Sequence, residues 1–174
     1  LTNSFSGPIA ILDFNHTGNN SIWAIEDDSK FRLLKNSGAQ LEPAESSFDL
    51  KPDDSIQQVL VGDLQNSGFE DILALGDNGF YAFNMMTNGL FREQSTFAGL
   101  DGITGEKALL SDYSFTGHLD LIIQQDSQST TNLMTLENIG NYYFFDITQT
   151  SSVPYDIKGV KDLVFEDWNQ DDML

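Results

Sequence analysis

Val61-Gly62-Asp63-Leu64-Gln65-Asn66-Ser67-Gly68 is followed, two residues on, by Asp71-Ile72-Leu73-Ala74-Leu75-Gly76. An apolar run, an Asp, small polar residues around a Gly and a second apolar run together read as strand, tight loop, strand. The same order returns at Ile11-Leu12-Asp13-Phe14-Asn15-His16-Thr17-Gly18, at Leu110-Ser111-Asp112-Tyr113-Ser114-Phe115-Thr116-Gly117 and at Phe165-Glu166-Asp167-Trp168-Asn169-Gln170-Asp171-Asp172. The leading Asp residues lie 50, 49 and 55 positions apart. A period of this size marks a repeat architecture, in which no unit buries its own apolar face and each stacks on its neighbours.

Outward from 61–76, short runs rich in Ile, Val, Phe and Tyr alternate with Gly, Asn, Asp and Ser. In the second repeat, 56–104, they predict strands near 56–64, 71–76, 79–86 and 90–94. Turns are expected at Gly76-Asp77-Asn78-Gly79 and Thr87-Asn88-Gly89, where Asn-Gly supplies the positive φ of a tight hairpin. The third repeat, 105–155, predicts strands near 108–112, 120–125, 133–137 and 143–147, with a turn at Asn138-Ile139-Gly140-Asn141. The first, 9–55, predicts strands at 21–26 and 31–34 and a turn at Asn36-Ser37-Gly38, and the fourth, 156–174, holds only its opening. Four antiparallel strands per period predict an all-β fold, a β-propeller with about three and a half blades over 1–174. Rings close with about 4 to 8 blades, so the chain reads as a piece of a longer propeller. Pro8, Pro43, Pro52 and Pro154 are expected between repeat bodies, where a missing ladder donor is tolerated.

Charge narrows the partners. With 27 Asp and Glu against 8 Lys and Arg, the formal net charge is -19. No basic stripe exists to neutralise phosphates, which argues against nucleic acid and anionic membrane. The apolar runs, such as 80–83 and 119–123, fall far short of the roughly 18 residues of a membrane span, so no membrane insertion is expected. The chain has no Cys, hence neither disulfides nor thiolate metal sites. The acidity is either a solvated, self-repelling surface or, in part, a set of cation ligands.

The loops are where the second possibility is concrete. Loop two reads Asp63-x-Gln65-x-Ser67-Gly68-x-x-Asp71 and loop three Asp112-x-Ser114-x-Thr116-Gly117-x-x-Asp120. Side-chain oxygens at positions 1, 3 and 5, Gly at 6 and a closing acid resemble the wrap of an EF-hand loop around Ca²⁺. Here the acid closes at position 9 and leads into a strand. Position 7 would offer a backbone carbonyl from Asn19, Phe69 or His118. Loop one offers Asp13, Asn15 and Thr17 but closes on Ser21, and loop four offers Asp167, Asn169 and Asp171 with Asp172 in place of the Gly. The opposite reading is a polar turn in which the Asp caps amides of its own loop, as in Asx turns.

The repeated loops resemble those of the FG-GAP or VCBS family, the integrin-α-type propeller repeat, with its pattern Asp-x-Asp/Asn-x-Asp-Gly-x-x-Asp-Leu. The segment Phe91 to Leu100 and the run Phe145-Asp146-Ile147-Thr148 are similar to the F-x-D-x-T-x-x-A-G-L connectors of the UnbV and cartilage-acidic-protein-like branch. The resemblance implies structural Ca²⁺ in the loops. It also implies an extracellular, periplasmic or cell-surface setting and propeller faces that contact proteins or glycans, alongside other blades of the same polypeptide. Positions 3 and 5 depart from the family pattern: Asn15 and Thr17, Gln65 and Ser67, Ser114 and Thr116 carry no charge. Affinity follows ligand charge, so weak or lost Ca²⁺ binding is expected.

Catalytic motifs are missing from the sequence: no nucleophile elbow, HExxH or Gly-rich phosphate cradle is present. His16 and His118 fall in the loops, where their side chains are expected to face solvent. The aromatic run Tyr142-Tyr143-Phe144-Phe145 is expected to alternate between the two faces of a blade, with a glycan platform or a protein hot spot as the other reading. The expectation is therefore a non-catalytic binding or scaffolding module for protein–protein or adhesion contacts. The alternative is the propeller part of a carbohydrate-active enzyme or a lectin-like glycan binder.

Overall fold

A computed structural model describes residues 4–13, 16–27, 30–49, 54–87, 90–125, 132–157 and 159–164. The chain is all-β over these residues, in three antiparallel four-stranded sheets. The first holds β1 (Phe5–Leu12), β2 (Ser21–Glu26), β3 (Lys30–Asn36) and β4 (Leu41–Asp49). The second holds β5 (Ile56–Gly62), β6 (Asp71–Gly76), β7 (Gly79–Met85) and β8 (Phe91–Glu93). The third holds β9 (Lys107–Ser111), β10 (Asp120–Gln124), β11 (Leu133–Asn138) and β12 (Phe144–Asp146). Each sheet is a meander in chain order, one per sequence period.

Period-two alternation assigns each strand's side chains to two faces. In the middle sheet Ile72, Ala74, Tyr81, Phe83 and Met85 face one way and join a core with Trp23, Ile25, Phe31 and Leu33 of the first sheet. Leu73, Leu75, Phe80 and Ala82 face the other way and join Leu121, Ile123, Leu136 and Phe144 of the third. Both faces of the middle sheet are therefore covered, and every residue of β6 and β7 is buried. The leading strands stack in series, β1 near β5 and β5 near β9, so the sheets are arranged like blades.

β8 and β12 lead into the two connectors whose motif the sequence carries. The observed register is Phe91-x-Glu93-x-Ser95 and Phe144-x-Asp146-x-Thr148, one residue earlier in the second copy than Phe145-Asp146-Ile147-Thr148 suggests. The carboxylate accepts an amide two residues on, from Ser95 at 2.8 Å and from Thr148 at 2.8 Å. That residue's hydroxyl then accepts the amide of Ala82 (2.9 Å) or Thr135 (3.0 Å). The hydroxyl stands in for a backbone carbonyl and prolongs the pairing past the end of a three-residue strand. Farther along, Ala98 accepts the Phe144 amide at 3.0 Å and Gly99 lies with its α-carbon against β12, where an added Cβ would sit 2.8 Å from the Phe144 carbonyl oxygen. With φ at 73° as well, this position requires glycine.

Two of the four prolines differ from expectation. Pro8 lies within β1 and Pro43 within β4. Both strands are at a sheet edge, and each has a register shift near its proline, between Ser6 and Ala10 and opposite Arg32 to Leu34. An edge strand with a bulge tolerates a missing N–H. Pro154 lies outside any strand, and Pro52 falls outside the described residues.

Candidate functional site

At their described positions the first three loops share the same left-handed backbone sites. Position 4 is left-handed in each, with φ of 52° at His16, 53° at Asn66 and 56° at Phe115. Position 6 is a left-handed glycine, with φ of 78° at Gly18, 84° at Gly68 and 81° at Gly117. Such φ values are open to glycine without steric penalty, which is why each loop carries a Gly at this point.

The leading Asp organises that path. Asp63 accepts the Ser67 amide on Oδ1 (2.8 Å) and the Gly68 amide on Oδ2 (2.7 Å). Asp13 does the same with Thr17 (3.0 Å) and Gly18 (2.7 Å), and Asp112 with Thr116 (2.9 Å) and Gly117 (2.9 Å). Ser67 also offers its hydroxyl oxygen to the Phe69 amide at 3.2 Å, and the Ser114 and Thr116 hydroxyls meet at 3.1 Å.

The closing residue turns away from this cap and into the sheet. Asp71 is fully buried and accepts the Met85 amide (2.8 Å) and the Asn84 carboxamide (3.0 Å) on Oδ1, and the Leu64 amide (3.1 Å) on Oδ2. Asp120, also fully buried, accepts the Asn138 amide (2.9 Å) and the Ser114 amide (2.7 Å). Ser21 takes the equivalent place in the first sheet and accepts the Asn36 amide at 3.1 Å. In all three, the first residue of the second strand pins the end of the third. Burial pushes the Asp71 carboxyl up to about 6 against its three hydrogen-bond donors, with the nearby Asp63 charge adding to the rise.

The loops also touch one another. The His16 and Phe69 rings lie 5.3 Å apart, joining loop one to loop two. The Asn66 carboxamide donates to the Gly117 carbonyl (2.7 Å) and lies 3.1 Å from His118 Nδ1, joining loop two to loop three. His16 is exposed and His118 half-buried, and both sit at junctions between loops. Below them, Gln58 and Ala108 exchange two bonds, carboxamide to carbonyl at 2.9 Å and amide to carboxamide oxygen at 2.8 Å. Asn138 spans to the Leu64 carbonyl at 2.8 Å. Gln58 belongs to no motif, Asn66 fills an unspecified position of loop two, and Asn138 opens the expected 138–141 turn. Their only sequence signal is a carboxamide beside an otherwise apolar strand or inside a loop.

Among the described residues no group of three or more His, Asp or Glu could hold a metal ion. Each leading carboxylate oxygen accepts an amide, and each closing carboxylate is buried with one oxygen on the third strand and the other on an amide of its own loop. Asn15 and the fourth-loop residues Asp167, Asn169 and Asp171 lie outside the described residues, as does Trp168. Among the described residues no helix is long and apolar enough to cross a membrane. The aromatic run alternates, with Tyr142 and Phe144 buried and Tyr143 and Phe145 exposed by 40% and 57%.

No family model matches the chain, and no curated protein is significantly similar to it.

Proposed function

We propose that the chain is a non-catalytic scaffolding and binding module, a run of propeller-type blades of FG-GAP or VCBS character in an extracellular or surface-associated protein. The observation that carries this reading is the use of the loop side chains. Asp13, Asp63 and Asp112 hold their own loop amides, and Ser21, Asp71 and Asp120 hold the far strand. A general acid or nucleophile must instead be free to reach a substrate. The loops act as self-capped turns that join neighbouring blades, and Ca²⁺ has at most a weak structural place in them.

The module would display its outer surface to a protein or glycan partner, with exposed rings at Phe97, Tyr143 and Phe145 as contact groups. Incubation with a panel of polysaccharides and esters, with assays for new reducing ends, unsaturated sugars and acids, is expected to give no turnover. Turnover abolished by a single Asp or Glu substitution would overturn the reading in favour of the carbohydrate-active alternative. A thermal melt in chelator and in millimolar Ca²⁺, with Mg²⁺ as control, tests the loops. A Ca²⁺-specific rise of more than about 2 °C would make them true cation staples.

A further inference from the structure

One edge of the third sheet gathers a carboxylate and three exposed rings. Glu137 of β11 stands opposite Phe145 of β12, so the carboxylate and the ring share a face at neighbouring positions. Tyr143 precedes Phe145 by two residues, and its ring lies on the connector at Gly99, where an added Cβ would come within 3.3 Å of it. The bond from the Phe144 amide to the Ala98 carbonyl holds the connector along this edge and brings Phe97, 59% exposed, to it.

The same rung of the second sheet is satisfied from within. There Asn84 stands opposite Arg92, and its carboxamide donates to Asp71 at 3.0 Å. In the third sheet Glu137 takes the place of Asn84 and Phe145 that of Arg92. An ionised carboxylate only accepts, so Glu137 cannot make to Asp120 the bond that Asn84 makes to Asp71. Among the described residues the half-buried Glu137 has neither a hydrogen-bond nor an ion-pair partner. The third repeat, 105–155, has six Asp and Glu against a single base, Lys107, and that base pairs with Asp162 at 3.0 Å. The charge at this edge is therefore complementary to a cation, and the rings favour a cation with a flat face. A guanidinium meets both demands, with a fork of donors for a carboxylate and a plane that stacks on aromatic rings. A neutral glycan would use the rings and leave the carboxylate unpaired.

We propose that the edge formed by Phe97, Tyr143, Phe145 and Glu137 docks a basic segment of a partner protein, with an arginine guanidinium on the Glu137 carboxylate and against the exposed rings. This rests on the reading of the chain as a binding module and names the chemistry of its partner.

Fluorescence anisotropy of the 174-residue chain with a labelled peptide of four Gly-Arg repeats, at about 0.15 M salt so that distant charges are screened, tests it. A Gly-citrulline peptide and a labelled neutral hexasaccharide are run beside it. The expected result is binding of the arginine peptide that E137Q and F145A each weaken about five- to tenfold. E42Q, which removes the same charge from an exposed position of the first sheet, should change it less than about twofold. Melting curves check that the variants fold, and E137Q should not lower Tm, since Glu137 has no partner to lose. No binding of the arginine peptide, equal binding of the citrulline peptide, or equal weakening by E137Q and E42Q would each overturn the proposal. Hexasaccharide binding lost in F145A, without peptide binding, would make a glycan the occupant and overturn it as well. Those results leave the binding-module reading standing, whereas turnover of a polysaccharide or ester would remove that reading itself.

Discussion

The middle sheet is held on its two faces by different chemistry. Toward the first sheet the contact is aromatic: Phe83 lies within 4.8–5.3 Å of Phe31, Phe48 and Trp23, and Trp23 stacks on Phe31 at 4.4 Å. Toward the third sheet the core is mostly aliphatic, and carboxamides stitch it, Gln58 to Ala108, Asn66 to Gly117 and Asn138 to Leu64. Both faces bury apolar surface, and on the second, directional bonds also fix the register. Large rings tolerate small offsets, whereas a carboxamide that pairs with one backbone amide and carbonyl specifies a single alignment.

The strongest way to break the contrast is to remove its centre. F83A should destabilise by about 3–5 kcal/mol in denaturant unfolding, because a fully buried ring that contacts four other aromatic residues leaves a cavity that those rings cannot fill. A loss below about 2 kcal/mol would mean that the first sheet repacks freely around the lost ring.

On the other face, N138A should cost about 1–3 kcal/mol by leaving the buried Leu64 carbonyl and the half-buried Leu119 carbonyl without this donor. N138D tests the direction of the bond, since an acceptor in place of the donor should do worse than alanine.

The loop caps come next, where D13A, D63A and D112A should each cost about 1–2 kcal/mol. Three similar values would support equivalent caps. A much larger cost at Asp63 or Asp112 in Ca²⁺ than in chelator would instead reveal a bound ion.

A further effect, of similar size, depends on pH. Asp71 has a folded-state value of about 6, above the ordinary 3.8. The native state therefore holds this proton more tightly than the unfolded chain does. Its stabilising contribution is complete below about 4 and is lost as pH rises through about 6. Between pH 7 and 4 wild-type stability should gain a component of about 1–3 kcal/mol that D71N lacks, read by chemical denaturation at each pH. Identical pH profiles for the two proteins would show that another group governs this window.

Much of the fold was legible because a period of about fifty residues cannot be hidden. The expected strands of the second and third repeats agree with β5 to β12 within about two residues. In the first repeat β4 departs from the sequence pattern: its run Leu41-Glu42-Pro43-Ala44 reads as a connector, and only edge position and a bulge make strand pairing possible there. At the loops, the sequence puts the right residues in the right order but leaves their partners open. Asp63 and Asp71 stand at the first and last positions of a ligand pattern, yet one caps its own loop and the other faces the interior.

The sequence by itself determined the period, the strand content, the left-handed glycines and the acidic character, since these come from local sterics and from counting. Tertiary structure decided which way each carboxylate turns, which carboxamides cross between sheets and that the histidines sit at loop junctions. The physical reason is that a polar side chain in a loop has several donors within reach. Which of them it uses depends on strands far away in the chain, brought close only when the sheets stack.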